Sequence, residues 1–133
     1  MNKEIPLEYE EQKALVQWLR LNNIMHFAPT NENNSHKQNR KYAMIAEQKA
    51  KASGKVKGVS DIVVMLPDMI LFIEMKRRRK LLKSGCTSIT HTKVSKEQYE
   101  FMTKVNKFDY AEATVCYGAS EAINLIKEKI KLL

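Results

Sequence analysis

The sequence predicts a single α/β domain in which helices sandwich a small mixed sheet. The predicted elements occur in the order helix, strand, helix, β-hairpin, helix, strand, helix over residues 1–133. Both hairpin strands are apolar on their two faces, which predicts that they lie at the centre of the sheet. A chain of 133 residues, 44% of them hydrophobic, has enough apolar side chains for one core.

The first predicted element is a helix over residues 7–21, recognised by an apolar stripe at helical spacing. Glu8 and Glu11 continue this stripe toward the N-terminus, whereas Glu10 projects about 100° away from Glu11. Glu11 therefore points toward the sheet and is a candidate site residue. For Glu8 and Glu10, a favourable interaction with the dipole of the helix is a sufficient explanation.

The later elements follow from apolar patterns and from signals at their ends. The sequence S-K-E-Q predicts a capping box, in which the Ser95 hydroxyl caps a helix and the Gln98 side chain reaches back. The Ser/Thr-rich segment 81–94 is either a loop or a small hairpin. The other predicted elements are a strand at 24–28, a helix at 40–52, hairpin strands at 62–66 and 70–73, a strand at 113–117 and a helix at 120–131.

The hairpin carries two acidic residues that a symmetric turn at residues 67–68 would bring together. Asp61 then lies opposite Glu74, and alternation along the strand places Lys76 on the same face as Glu74. Opposed carboxylates destabilise a sheet unless a cation compensates them, and a hard divalent metal such as Mg²⁺ is the natural one. The alternative is a structural or solvated role, since a one-residue slip would send one carboxylate to the other face.

The charge of the chain favours a polyanionic partner. There are 23 Lys and Arg residues against 15 Asp and Glu residues, a net charge of +8, so nucleic acid is the first candidate and an anionic membrane the second. Basic segments at residues 37–57 and 76–80 flank the hairpin. They predict phosphate contacts, although a solvated face is the alternative. The candidate DNA-binding residues are Lys55, Lys57, Arg77, Arg78, Arg79 and Lys80.

Several other classes of protein do not fit the sequence. It has no apolar run long enough to span a bilayer and no N-terminal signal pattern, which predicts a cytoplasmic protein without a membrane partner. The two cysteines and three histidines lack the spacing of a zinc site or a disulfide framework.

Asp61, the Glu74-Met75-Lys76 motif and an upstream helical Glu together resemble the PD-(D/E)XK nuclease superfamily, and more narrowly the VRR-NUC family. The resemblance covers nearly the whole chain. It extends through EEQKALVQWL (10–19), Asn31-Glu32, GVSDIVVM (58–65), LFIEMK (71–76), VSKEQYEFM (94–102) and VCYGASEAINLI (115–126). It implies a restriction-endonuclease-like α/β/α sandwich and metal-dependent, structure-selective DNA cleavage. Stand-alone members of this size resemble homodimeric Holliday-junction resolvases.

The resemblance also implies roles for individual residues. Two departures from the family pattern are Ser60, where proline is usual, and a longer, more basic loop after Lys76. Glu32 falls on a position near the site to which we assign no role. The other assignments are Asp61, Glu74 and Glu11 as metal ligands together with the Met75 backbone carbonyl, Lys76 as the catalytic lysine, and Gln98 as a glutamine near the site.

The leading hypothesis is a Mg²⁺- or Mn²⁺-dependent endodeoxyribonuclease that acts on branched DNA such as four-way junctions. A homodimer is expected, because a four-way junction needs two symmetric cuts. A small protein of this kind suits a bacterium or a phage-infected host cell. The alternatives are a non-catalytic DNA-binding module that retains the fold and a restriction-type endonuclease that recognises a base sequence.

Overall fold

The computed structural model describes residues 5–29, 40–81, 87–88 and 93–131. Four helices and six strands occur within these residues. They are α1 (Glu8–Leu21), β1 (His26–Phe27), α2 (Arg40–Ala52), β2 (Ile62–Met65), β3 (Ile70–Lys76), β4 (Lys80–Leu81), β5 (Thr87–Ser88), α3 (Lys96–Val105), β6 (Ala111–Tyr117) and α4 (Ala119–Lys131).

The main sheet is mixed and has the strand order β1-β2-β3-β6. Strand β2 is antiparallel to both β1 and β3, and β6 is parallel to β3. The two hairpin strands are therefore central, as their apolar sequences predict. Strand β1 is shorter than the predicted 24–28, because the Ile24 N–H bonds to the Leu19 carbonyl at the end of α1 instead of joining the ladder.

The two faces of the sheet are covered by different helices. On one face, α1 packs against β3 and α4 packs against β6 and α1, and the alternate residues Leu71, Ile73 and Met75 of β3 are fully buried there. On the other face lies α3, where Phe101 meets Phe72 edge to face with ring centroids 5.7 Å apart. These layers confirm the predicted α/β/α sandwich.

Helix α3, the small ladder of β4 and β5, and helix α2 lie outside the main sheet. The capping box at α3 is present, with the Ser95 hydroxyl accepting from the Gln98 N–H at 3.1 Å and the Gln98 side chain accepting from the Ser95 N–H at 2.9 Å. Within the predicted loop or hairpin at 81–94, β4 and β5 pair as a small antiparallel ladder. Helix α2 has the predicted bounds and buries none of its residues. No helix in the described parts of the chain is long and apolar enough to cross a membrane.

Candidate metal centre

The register of the hairpin brings Asp61 and Glu74 together. Ile62 pairs with Ile73, so the residues that flank this pair, Asp61 and Glu74, face each other at the end of the ladder. The Asp61 Oδ2 atom accepts a hydrogen bond of 2.8 Å from the Met75 backbone N–H. Asp61 is thereby fixed to the backbone of β3 beside Glu74, on the face that the alternation of side chains predicts.

Glu74 is almost completely removed from solvent, with 2% of its surface exposed. Its Oε1 atom accepts a 2.6 Å hydrogen bond from Gln98 Nε2 and lies 3.7 Å from Lys76 Nζ. Its Oε2 atom has no hydrogen-bond partner among the described residues. A buried carboxylate oxygen without a partner is unfavourable in the protein alone, and a bound cation would satisfy it.

The approach of α3 to this site depends on a glycine. Gly58 has a φ of +81°, and a Cβ atom there would lie 2.6 Å from the backbone nitrogen of Gln98. Only a residue without a side chain lets the segment before Asp61 pass so close to the first turn of α3. Gln98 reaches Glu74 from that turn, so Gly58 is part of the geometry of the site.

Burial and the neighbouring carboxylate of Asp61 both favour the protonated form of Glu74. Burial, and then the negative charge of Asp61, raise the pKa of Glu74 to about 8, while the positive charge of Lys76 partly opposes this shift. A carboxyl group with such a pKa holds a proton at neutral pH. A divalent cation favours the ionised carboxylates and would replace that proton.

Glu8 is the third carboxylate of the cluster, and the sequence analysis did not assign it to the site. Among the described residues, carboxylate oxygens of Glu8, Asp61 and Glu74 lie within 4.8 Å of one another. Burial raises the pKa of Glu8, and the charge of Asp61 adds to this, while Lys76 lowers it. The signal was present in the sequence, since Glu8 continues the inward stripe of α1 one turn before Glu11.

Glu11, which the resemblance assigns as a metal ligand, has an arginine as its partner and lies outside the cluster of three carboxylates, so its part in metal binding stays a prediction. Its side chain is 1% exposed, as the inward stripe predicts. Both carboxylate oxygens accept hydrogen bonds from the Arg78 guanidinium, at 2.7 and 3.1 Å. A buried carboxylate paired in this way is already neutralised. The helical acid that joins Asp61 and Glu74 is therefore Glu8.

The arginines that follow Lys76 have partners within the chain. Arg77 donates to the carbonyls of Ile5 and Pro6, Arg78 binds Glu11, and the Arg79 guanidinium lies 4.0 Å from the centroid of the Tyr117 ring. These contacts explain how adjacent positive charges are accommodated without a bound anion. Contacts of these residues with DNA stay predictions.

The other predicted DNA-binding residues lie before the hairpin or have side chains outside the described residues. Lys57 forms an exposed ion pair with Glu47 of α2, and Lys55 is exposed. The Lys80 backbone belongs to β4, but its side chain lies outside the described residues, and so does the whole of Glu32. Contact of Lys55 and Lys57 with phosphate also stays a prediction.

The residues present fit a hard divalent cation. Three carboxylates supply the oxygen ligands that Mg²⁺ and Mn²⁺ prefer, and the unpartnered Oε2 atom of Glu74 is one of their oxygens. The backbone carbonyl of Met75 stays a predicted fourth ligand. Lys76, 9% exposed, supplies a positive charge beside the carboxylates.

Comparisons of the whole chain with other proteins bear on its fold. The sequence matched neither a protein-family model nor a curated protein. The structure is similar to a solved structure described as a VRR_NUC domain protein, with a TM-score of 0.63 and 19% sequence identity. The similarity covers 98% of this chain and 93% of that one. The chain therefore has the restriction-endonuclease-like α/β fold of VRR-NUC domain proteins.

Proposed function

We propose that this protein is a nuclease that requires Mg²⁺ or Mn²⁺ and hydrolyses phosphodiester bonds in DNA. The observation that carries the proposal is the cluster of Glu8, Asp61 and Glu74 beside the buried amine of Lys76. The VRR-NUC fold and the net charge of +8 support it. A bound cation would account at once for the closeness of the three carboxylates and for the buried Oε2 atom of Glu74, which has no hydrogen-bond partner among the described residues.

Each residue has a distinct part in the proposed chemistry. A bound divalent metal would supply activation of water and polarisation of the phosphate. Glu8, Asp61 and Glu74 would hold it, and the Met75 N–H fixes one oxygen of Asp61. Gln98 orients Glu74 by donating to its Oε1 atom. Lys76 is a compact cation that can orient a water molecule or stabilise negative charge developing on the phosphate.

The finer part of the proposal concerns the substrate and the assembly. Branched DNA such as a four-way junction is the proposed substrate, and the resemblance to small junction resolvases supports it. A homodimer is proposed because two-fold symmetry would supply paired cuts on opposite strands. Light scattering after gel filtration tests the dimer independently of activity, and a monomer at all concentrations would remove that part.

The activity is tested by incubating the protein with Mn²⁺ and four DNAs of matched sequence: duplex, flap, splayed arm and four-way junction. We expect cleavage of the junction to be fastest. Equal cleavage of all four would exclude selectivity for branches, and cleavage of none would contradict the nuclease. Asp61→Ala and Lys76→Ala should abolish cleavage while DNA binding persists, whereas Asp68→Asn, in the exposed turn at the other end of the hairpin, should cleave normally.

Mn²⁺ calorimetry without DNA separates the nuclease from a non-catalytic DNA-binding module. The nuclease should show saturable binding heat that the Asp61→Ala variant loses. A DNA-binding module without a metal site should show no site-specific heat in either protein.

A further inference from the structure

Arg77 joins the end of β3 to the segment that precedes α1. Its Nε atom donates to the Pro6 carbonyl at 3.0 Å, and its Nη2 atom donates to the Ile5 carbonyl at 2.6 Å. The planar guanidinium is suited to such paired contacts, because its donors have a fixed geometry. Two adjacent carbonyls are thereby held by a single side chain that directly follows Lys76.

The N-cap of α1 gives its first turn little local support, although Gln12, one turn further on, donates to the Asp61 carbonyl at 3.5 Å. Leu7 occupies the N-cap position, and its apolar side chain offers no oxygen to the free N–H groups of the first turn. The local contact there is a 3.3 Å hydrogen bond from the Leu7 N–H to the carboxylate of Glu10. Contacts from elsewhere in the fold must therefore fix where the first turn lies, and Glu8 belongs to that turn.

Arg78 supplies a second attachment on the other side of Glu8. It forms two hydrogen bonds with the buried carboxylate of Glu11. A Cβ atom at Gly118, where φ is +97°, would lie 2.6 Å from Glu11 Oε2, so this ion pair packs closely against the β6–α4 junction. Along the chain, Glu8 thus lies between two points, Pro6 and Glu11, that consecutive arginines attach to the end of β3.

We propose that Arg77 and Arg78 are positioning residues that hold Glu8 within reach of Asp61 and Glu74. The inference rests on the proposed function, since it assumes that the three carboxylates bind a divalent metal. It assigns to the basic run after Lys76 a task other than direct contact with phosphate. Arg77 acts through the Ile5 and Pro6 carbonyls and through the path of the backbone into α1.

The direction in which cation affinity changes when an arginine is removed distinguishes a positioning role from a purely electrostatic one. Removing a positive charge near a group of carboxylates strengthens the binding of a cation if charge alone matters. Loss of positioning weakens it, because Glu8 no longer meets the other ligands at the required distance. Removal of groups that orient metal ligands typically lowers metal affinity about 10- to 100-fold.

The test measures Mn²⁺ affinity of the full chain without DNA, by electron paramagnetic resonance of the free ion. We expect Arg77→Ala to weaken affinity about tenfold. Arg77→Lys, which keeps the charge but lacks the forked donors, should lie between this variant and the wild type. Arg79→Ala is the matched control for charge, because Arg79 contacts the Tyr117 ring and not the segment before α1; it should bind Mn²⁺ at least as tightly as the wild type.

A double-mutant cycle with Glu8→Gln tests whether Arg77 influences Mn²⁺ affinity through Glu8. If Arg77 acts through Glu8, adding Arg77→Ala to Glu8→Gln should weaken Mn²⁺ binding no further. Tighter or unchanged binding by Arg77→Ala, or full additivity with Glu8→Gln, would overturn the positioning role. Circular dichroism identifies a folding defect in Arg77→Ala, in which case the milder Arg77→Lys decides. Wild-type protein without saturable Mn²⁺ binding would instead overturn the proposed function, and the positioning role with it.

Discussion

Replacing Glu74 with glutamine should stabilise the metal-free protein, and the gain should depend on pH. Burial and the charge of Asp61 raise the pKa of Glu74 from 4.5 to about 8. Glutamine has nearly the same shape, its carbonyl oxygen can still accept the hydrogen bond from Gln98, and it carries no charge. The substitution therefore removes the ionisation of the side chain while it keeps most of the packing.

The magnitude follows from the protons bound by the folded and unfolded chains. Below pH 4.5 the side chain of Glu74 is protonated in both states, so its contribution to stability is fully present. As the pH rises toward 8, the unfolded chain releases this proton and the folded chain retains it. The free energy of unfolding then falls by about 1.4 kcal/mol for each pH unit. Between 4.5 and neutrality, about 2.5 units, the wild type loses about 3 kcal/mol that Glu74→Gln does not lose.

Urea denaturation in the presence of EDTA measures this difference at several pH values. Glu74→Gln and the wild type should differ little near pH 4 and by about 3 kcal/mol near pH 7. Asp68→Asn is the control, because Asp68 lies in the exposed turn at the far end of the same hairpin. A difference between Glu74→Gln and the wild type that stays constant over this range would refute the reasoning.

Mn²⁺ should remove most of the difference in stability between the two proteins. A ligand at about 100 times its dissociation constant stabilises the folded state by about 2.7 kcal/mol, and only the wild type retains all three carboxylates. With Mn²⁺, the wild type should therefore recover most of the stability that it lacks in EDTA near neutral pH. Equal stabilisation of both proteins would show that Mn²⁺ binds elsewhere.

Three further substitutions test the packing around the site. In urea denaturation, Ser60→Ala should leave the free energy of unfolding unchanged or raise it by about 1 kcal/mol. The reason is that the fully buried Ser60 hydroxyl has no hydrogen-bond partner among the described residues. A clear loss of stability would contradict this. Gly118→Ala should destabilise by about 2 kcal/mol or more in the same assay, since φ is +97° and the new Cβ atom would meet Glu11; an unchanged midpoint would refute the contact. Gly58→Ala should slow DNA cleavage by displacing Gln98 from Glu74, and wild-type turnover would argue against that dependence.

The part of the site that the sequence predicts well depends on local geometry. The hairpin turn is short, so the facing of Asp61 and Glu74 follows from counting along two adjoining strands, and the observed pairing of Ile62 with Ile73 agrees. The place of Lys76 follows from alternation alone. The capping box at Ser95 likewise involves residues three apart. In each case the contacts join residues that are near in sequence or related by one simple turn.

The choice between Glu8 and Glu11 depends on contacts that are distant in sequence. Both residues lie on the inward stripe of α1, about 4.5 Å apart along the helix axis. Helical periodicity fixes the direction of a side chain around the axis but not the position of the helix along it. That position depends on contacts of α1 with distant parts of the chain, among them those of Arg77 and Arg78, which lie 67 to 72 residues from their partners. Periodicity therefore identified the inward face of α1, but not that Glu8 rather than Glu11 is the acid that lies close to Asp61 and Glu74.

In the basic run after Lys76, the charge of a side chain and its direct contacts have separate effects. Adjacent like charges repel, and the sequence offers no way to tell whether an anion outside the protein or groups within it relieve that repulsion. In the structure two carbonyls, a carboxylate and an aromatic ring relieve it. An arginine in such a contact keeps its positive charge, although the negative charge of Glu11 offsets that of Arg78. The electrostatic field that attracts DNA depends on the net charge of the protein rather than on direct contacts. The +8 charge thus still favours DNA, while the end of β3 uses its arginines to hold α1 in place.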